Sequence, residues 1–289
     1  MVLSLIWLTA SISSAAGLSR ADIDSLRKQG EVEGWTFTVG ENPATSYSLA
    51  ELCGMKAPDH WWVGAKFNPS PSPSPKSLPT VFSWCDSAGG CPPVRNQGSC
   101  GSCWAFSTVG ALECNIKIKD KATVDLSEQW LVSCNTDGWG CGGGWWAHDY
   151  HQWKTDPCGG TGAVLEADFP YVASDASCSC PYPHDYLIQN WGFVGSSYGI
   201  PEVSSIKQAI LDYGPVSVTV YVNSAMQAYT GGIFNGCASG DINHGVVLVG
   251  WDDNQGTEGV WIMRNSWGSG WGEGGYMRIP YNCSSIGYA

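Results

Sequence analysis

Gln97-Gly-Ser-Cys100-Gly-Ser-Cys103-Trp-Ala-Phe-Ser107 is the stretch on which the reading of this chain turns. From Cys103 onward, Phe106, Val109, Leu112 and Ile116 recur at helical spacing, so a helix is expected to open at Cys103. A cysteine in the first turn of a helix meets the positive end of the helix dipole, which favours thiolate over thiol. The glycines before it let another backbone come close. With a histidine nearby such a cysteine forms a thiolate–imidazolium pair, an activated sulfur nucleophile. Cys100-Gly-Ser-Cys103 is also a C-x-x-C, which a redox dithiol or half a zinc site would share. A thioredoxin-type dithiol follows a strand in a βαβ unit, and no such pattern is present. A zinc site needs a second pair at suitable spacing, and Cys178 and Cys180 are too close together to supply it. Cys100 is read as a disulfide cysteine.

The histidine is sought downstream. His244-Gly-Val-Val-Leu-Val-Gly-Trp251 and Val260-Trp-Ile-Met-Arg-Asn-Ser-Trp267 read as two strands, with Asp252 to Glu258 a polar loop containing Gly256. An antiparallel hairpin centred near Gln255 sets His244 almost beside Asn265. An Asn amide oxygen there accepts the imidazole N–H and fixes the ring's orientation.

The rest of the composition sets the class. The chain has 289 residues, 43% of them hydrophobic and 14% charged, with 16 Trp and a net charge of −12. That is enough apolar material for a core, and no basic run is available for nucleic acid. Thirteen Cys point to an oxidising compartment and several disulfides, and the odd number leaves at least one thiol unpaired. Val2 to Ala16 is uncharged and apolar or small, which reads as a signal segment cleaved near Ala16–Gly17. No later stretch reads as a membrane helix. Asn68-Pro-Ser-Pro-Ser-Pro-Ser-Pro75 reads as an extended, exposed linker between a short leader and the main domain. Beyond it, helical patterning dominates first: Ser127 looks like an N-cap, with Leu126 and Leu131 placed as a hydrophobic staple. Trp145 to Trp153 reads as a further helix with His148 and His151 on a solvated face, and Ile206, Ala209, Ile210 and Tyr213 mark another. Strand-like runs then follow, in 215–222, 245–251 and 260–264. The class is α+β, divided near the middle.

Cys103 with its flanking residues resembles the nucleophile segment of papain-family cysteine peptidases, whose Cys-Gly-Ser-Cys-Trp signature is a recognised pattern. The family's histidine lies about 130–150 residues downstream, where His244 falls. Asn265-Ser-Trp-Gly-Ser-Gly-Trp-Gly-Glu-Gly-Gly-Tyr276, Gly140-Cys-Gly-Gly-Gly144 and Leu126-Ser-Glu-Gln-Trp-Leu-Val-Ser-Cys134 are similar to further family blocks. Gly34-Trp-Thr-Phe-Thr-Val-Gly and Ser48-Leu-Ala-Glu-Leu-Cys-Gly54 are similar to the short prosegment of cathepsin B-like members.

The resemblance implies a fold of two subdomains, one helical and one a β-barrel, with the cleft between them. It implies residues 1–17 as signal peptide, 18–77 as an inhibitory propeptide with its linker, and 78–289 as the catalytic domain. Cys103 would be the nucleophile, His244 the acid–base, and Asn265 its orienting partner shielded by Trp267. Gln97 and the Cys103 N–H would form the oxyanion hole. Substrate would meet Gly143, Gly144, Trp145, Trp146, Thr219, Ile242, Asn243, Gly245, Trp267 and Tyr288. Trp146, Thr219, Ile242, Gly245 and Tyr288 would make an apolar second subsite. Cys100–Cys141 and Cys134–Cys178 would be disulfides, with Cys180 a rival for Cys178, and Cys85–Cys91 is a plausible local pair.

No cofactor or metal is implied. The partners would be protein or peptide substrates, the chain's own propeptide and cystatin-like inhibitors. The expected product is a monomeric endopeptidase, secreted or lysosomal/vacuolar. The rivals are a cathepsin B-like dipeptidyl peptidase, an inactive binding homologue, and a redox protein using Cys100 and Cys103. The dipeptidyl rival requires a His- and Cys-bearing loop over the cleft, and Lys154 to Asp168 carries one Cys and no His.

Overall fold

The computed structural model describes residues 16–68, 78–87 and 90–289. The apolar N-terminal segment up to Ala15 and the Ser/Pro run from Pro69 lie outside the described residues.

Local signals fix the ends of the leader's elements. Helix α1, Arg20–Glu33, opens on a capping box between Ser19 and Asp22 and closes at Gly34 in the left-handed region, φ 68°. Strand β1, Phe37–Val39, comes next, then a 3-10 turn, Pro43–Ser46, with a capping box between Asn42 and Thr45, and a short helix α2, Leu49–Leu52, under another between Ser48 and Glu51. Strand β2, Phe67–Asn68, ends the described leader.

The main body begins with β3, Val81–Ser83. Helix α3, Cys103–Asp120, starts at the cysteine chosen from the sequence. Helix α4, Glu128–Cys134, is capped by Ser127, whose hydroxyl accepts the Trp130 N–H at 2.9 Å; Leu126 and Leu131 are both buried. Strand β4 is Phe193–Val194 and helix α5 is Val203–Tyr213. Strands β5, Val216–Val220, β6, Tyr229–Gly232, β7, His244–Asp252, β8, Val260–Arg264, and β9, Tyr276–Pro280, complete the chain.

The β half differs from the expected barrel. The described strands form an open five-stranded sheet, β3-β7-β8-β9, with β5 also on β7. β5 pairs with β7 from His244 to Leu248, and β3 pairs with it from Gly250 to Asp252, both antiparallel. Among the described residues, the far side of β9 meets an isolated bridge from Ile233 to Arg278. β6, which lies near that edge, pairs instead with β1 of the leader.

The expected helix over Trp145 to Trp153 is also absent. Only His148–His151 turns, as one 3-10 turn. Trp145, Trp146, Ala147, Tyr150 and His151 are all buried, more of the segment than one apolar stripe of an amphipathic helix would cover. His151 is fully buried, its ring stacked 6.0 Å from Trp130. The solvated-face reading therefore fails for His151, while His148 is half-buried; burial pushes their pKa values down to about 4 for His148 and about 3 for His151.

Two cores result. The helical one gathers Trp104, Val109, Leu126, Trp130, Leu131, Trp145 and Trp146, and the β one gathers Leu248, Trp251, Trp261, Met263, Trp267 and Trp271. Aromatic side chains bury about 150–250 Å² each, several kcal/mol apiece at about 25 cal/mol per Å². Disulfides join Cys85–Cys91, Cys100–Cys141, Cys134–Cys178, Cys158–Cys180 and Cys237–Cys283, so Cys180 does not compete for Cys134. Cys53, Cys103 and Cys114 are free.

Buried charge lies between the two halves. Glu113 of α3 is buried, accepts the Leu126 N–H at 3.0 Å, and lies near Arg264 of β8 and Arg95. Burial pushes its pKa up to about 7, against the opposing pull of the Leu126 N–H and the two arginines. The native state thus holds a proton that the unfolded chain, with an ordinary value of 4.5, has released. Stability is expected to fall as pH rises from about 4.5 to about 7, by roughly 1–3 kcal/mol from this group. Glu113→Gln keeps the acceptor for Leu126 and removes the titration. Urea midpoints across that range should fall less steeply in the variant, and an unchanged slope would disprove the assignment.

Candidate active site

The nucleophile candidate, Cys103, stands at the first position of α3 and is fully buried. Gly245, the second residue of β7, packs onto it: a side-chain carbon at Gly245 would come within 3.3 Å of the Cys103 carbonyl. His244 is the residue before Gly245, and its imidazole lies by the Leu52 carbonyl, which also accepts from Gln97. The Nε2 of His244 meets Asn265 Oδ1 at 2.8 Å. Asn265 Oδ1 also accepts the Ser266 N–H at 2.8 Å, which fixes the amide.

The hairpin that unites His244 and Asn265 is centred one residue later than the sequence suggests, on Gly256. Its register runs from Asp252↔Val260 to Val247↔Arg264, with a bulge between Leu248 and Gly250. Carried outward, that register sets Trp267 opposite His244. The indole indeed covers the imidazole, with ring centroids 4.7 Å apart, while the Asn265 side chain still reaches the ring.

Gln97 is fully buried and held at both ends. Its Oε1 accepts the Ser266 hydroxyl at 2.7 Å, and its backbone N–H donates to the Ser266 carbonyl at 2.8 Å. Its Nε2 donates to Cys100 O and to Leu52 O, both at 2.9 Å. Ser266 is a positioning residue that the sequence reading passed over, although it sits beside Asn265 in the quoted motif.

The leader crosses directly over these groups. Leu52 belongs to the β core and Met55 to the helical core, so Cys53 and Gly54 bridge the seam. Gly54 donates its N–H to Cys103 Sγ at 3.3 Å. On the far side the leader's main chain bonds to fixed backbone: Gly144 N–H to Gly54 O at 2.9 Å, Lys56 N–H to Gly144 O at 2.9 Å, and Met55 N–H to Asn243 O at 3.0 Å. A side-chain carbon added to Gly245 would strike Met55 Cε at 2.7 Å, so the Met55 side chain ends on Gly245.

The remaining residues named from the sequence surround this segment. Gly143, at φ 121°, precedes Gly144 in the loop that bonds the leader. Thr219 of β5 is buried and pairs with Gly245. Ile242 packs on the helical core that contains Met55, and Trp146 belongs to that core. Trp145 and Tyr288 lie farther along, against Trp61 of the leader.

Electrostatics follow from this dry enclosure. Burial pushes the Cys103 thiol up to about 11, outweighing the N–H groups of Gly245, Gly54, Trp104 and Met55 that face the sulfur. Burial pushes His244 down to about 4, offset only in part by Asn265 and the nearby Leu52 carbonyl. Between those values both groups are neutral, so the thiolate–imidazolium pair does not form beneath the leader.

At pH 7 the intact chain should therefore be alkylated at Cys103 by iodoacetamide about a hundredfold more slowly than a free cysteine thiol. A side-chain carbon at Gly54 would lie 1.7 Å from the Gly101 carbonyl oxygen. Gly54→Val should lift the leader and raise the labelling rate by about tenfold or more. Rapid labelling of the unsubstituted chain would contradict the neutral-pair account.

Residues 78–288 match the papain family cysteine protease domain. The chain is 39% identical over 209 residues to the probable cysteine protease RD21C of Arabidopsis thaliana, covering 71% of this chain and 44% of that protein. It is 42% identical over 194 residues to cathepsin L 2 of Paramecium tetraurelia, covering 65% and 55%. The chain thus spans about half the length of these curated relatives. Among solved structures, the digestive procathepsin L 3 of Tenebrio molitor larval midgut superposes with a TM-score of 0.71 at 30% identity, covering 93% of this chain and 86% of that one. The Carica candamarcensis cysteine protease CMS1MS2, in complex with E-64, gives 0.60 at 34% identity, covering 72% and 94%.

Proposed function

The chain belongs to the papain family of cysteine proteases, and from that premise we propose that it is a zymogen of a cysteine endopeptidase. The observation that carries this reading is the place of the Leu52 carbonyl. It accepts a hydrogen bond from Gln97 Nε2, the donor expected to stabilise an oxyanion, directly above the Cys103 sulfur's neighbourhood. The leader thus presents a carbonyl to the machinery while its dry backbone keeps the nucleophile neutral.

In the proposed mechanism, release of the leader readmits water and the Cys103 proton passes to His244. Asn265 and Trp267 hold the imidazole and leave its other nitrogen, Nδ1, buried without a hydrogen-bond partner and so open to the proton. The thiolate attacks the scissile carbonyl, and the oxygen takes up negative charge against Gln97 Nε2 and the Cys103 N–H. Donors so placed are worth about 3 kcal/mol each. His244 returns the proton to the leaving amine, giving an acyl-enzyme. Water, deprotonated by His244, then frees the acid and restores Cys103.

Residues 18–77 are the proposed inhibitory propeptide, and 1–17 the proposed signal peptide. The family match starts at residue 78 and β3 starts at Val81, which supports a mature start close to Leu78–Pro79. The second subsite of Trp146, Thr219, Ile242, Gly245 and Tyr288 is proposed to prefer an apolar side chain, since the unbranched Met55 already rests on Gly245. Arg there would be a buried unpaired charge. A secreted or lysosomal/vacuolar location, a monomeric state and sensitivity to cystatin-like inhibitors complete the proposal.

Acid-activated chain should hydrolyse peptides and be titrated one-to-one by E-64, and Cys103→Ala should lose activity by at least about a thousandfold with unchanged circular dichroism. Appreciable turnover by Cys103→Ala would sink the mechanism. A peptide and its C-terminal amide should be cut equally, because the cleft is proposed to be open at both ends. A requirement for the free carboxylate, with dipeptide release, would favour the exopeptidase instead.

A further inference from the structure

Ser102 stands at the N-cap of α3, yet its hydroxyl makes no capping bond. A serine in that place ordinarily accepts an N–H of the helix's first turn. Here the side chain is fully buried and turned to Tyr171, whose hydroxyl oxygen lies 2.7 Å from Ser102 Oγ. The same phenol hydroxyl donates to the Gln97 carbonyl at 2.8 Å. A carbonyl only accepts and Tyr171 has one proton to give, so Tyr171 accepts in turn from Ser102. Cys100 O, at 3.3 Å, is the longer and weaker alternative for the Ser102 proton. The bonds therefore run in one direction, from Ser102 through Tyr171 to Gln97.

The two ends of that relay are the two arms of the proposed oxyanion hole. Gln97 supplies its Nε2. Ser102 supplies the carbonyl half of the peptide bond whose N–H belongs to Cys103. Ser266 holds the Gln97 side chain and its backbone N–H, while the Gln97 carbonyl is left to Tyr171. We propose that Tyr171 is a positioning residue for the oxyanion hole, its single hydroxyl setting the spacing between the Gln97 and Cys103 donors. This rests on the reading of the chain as a cysteine peptidase whose oxyanion meets those two groups.

The hydroxyl is not needed to hold its own segment. The Phe169 carbonyl accepts the Ser127 hydroxyl at 2.6 Å, the Tyr171 N–H donates to Glu166 Oε1 at 2.8 Å, and the Val172 N–H donates to Gln129 Oε1 at 2.9 Å. The ring stands edge-on to Phe106 of α3, with centroids 4.8 Å apart. With its backbone and ring fixed by these other contacts, the phenol oxygen is delivered to a definite point, and Gln97 and Ser102 are set by it. Burial pushes the phenol's pKa up, against the opposing bond from Ser102, so the proton that Gln97 accepts stays in place. Placement matters steeply here. Oxyanion donors act at about 2.7–3.1 Å, and a displacement of about 1 Å costs about a hundredfold in rate.

The test compares Tyr171→Phe with the unsubstituted chain after acid activation. The variant loses the hydroxyl and keeps the ring on Phe106. On a peptide substrate its kcat should fall about tenfold with KM within about twofold. Two probes of Cys103 then separate positioning from general damage. With iodoacetamide the sulfur bonds to the methylene carbon, iodide leaves, and no oxyanion forms. Its labelling rate between about pH 4 and about pH 8 should stay within about twofold in the variant. With a peptide aldehyde the sulfur bonds to the carbonyl carbon and the C=O electron pair moves onto the oxygen, which then relies on the hole. The aldehyde's inhibition constant should rise about tenfold. Ser102→Ala cuts only one link of the relay. It should shift the aldehyde constant the same way by about threefold, and it carries the comparison if Tyr171→Phe does not fold. Equal losses with both probes would make Tyr171 a structural residue only, and no change with either would mean that its hydroxyl positions nothing. Both results overturn the inference while the unsubstituted enzyme still cuts, so the peptidase reading stands. If the unsubstituted chain cuts no peptide, that reading fails and the inference with it.

Discussion

Gly54 passes over Gly101 so closely that neither the leader nor the cysteine loop beneath it could accommodate a side chain there. A carbon on Gly54 would lie 1.7 Å from the Gly101 carbonyl oxygen, and one on Gly101 would lie 2.6 Å from the Cys141 carbonyl oxygen. The Cys100–Cys141 disulfide pins the layer below this crossing. Because the leader can lie this deep, its backbone N–H reaches the Cys103 sulfur, its Leu52 carbonyl reaches Gln97, and water is excluded from both. The state of the site follows from that one approach. A thiol and an imidazole sealed away from solvent are each driven to their neutral forms, and the positive end of α3 is not enough to reverse it.

The depth is maintained by anchors on either side of the crossing. On the β side, β1 extends the β6 hairpin region, and Phe37, Val39, Ala44 and Leu52 join the core built around Trp267 and Trp271. On the helical side, Met55 and Trp61 pack against the wall that begins at Gly144. The leader is thus part of both cores, and it fastens the halves of the molecule at the seam where the proposed chemistry must open. Its three capping boxes, at Ser19, Asn42 and Ser48, open the helical segments that set the spacing between those anchors. The leader's buried apolar residues, Ile23, Phe37, Val39, Ala44, Leu52 and Met55, hold it by contacts that do not titrate.

Much of the site was legible because its signals are local. Cys103 at a helix start, the N-cap at Ser127, and the two strands around a Gly-containing loop are each written within a dozen residues. The pairing of His244 with Asn265 was within reach because a hairpin's partners are fixed by its centre. The one-residue error in that centre lies in the turn itself, since Asp252↔Val260 is already centred on residue 256; the bulge between Leu248 and Gly250, where a side-chain carbon at Gly250 would meet the Phe82 carbonyl oxygen at 2.1 Å, moves the pairing half a residue back. Nothing adjacent to Gly250 in sequence announces this contact. The helix expected over Trp145 to Trp153 failed for the same reason. Its apolar spacing suits a helix, but Trp145 packs on Trp61 and Trp146 on His148, and only a single 3-10 turn forms, at His148–His151.

The sequence by itself determined the candidates: a sulfur at a helix start, an imidazole and an amide brought together by a hairpin, and a leader followed by a body, because those depend on residue type and short-range order. Only the tertiary structure decided that the leader's Leu52 carbonyl and Gly54 N–H meet Gln97 and Cys103, that Ser266 holds Gln97, that Cys180 bridges to Cys158, and that Phe193, Trp145 and Tyr288 enclose Trp61. Each of these joins residues distant in the chain. Contacts of that kind are set by how apolar surfaces from separate segments are buried against one another, and burial is a property of the packed molecule that no local window of sequence contains.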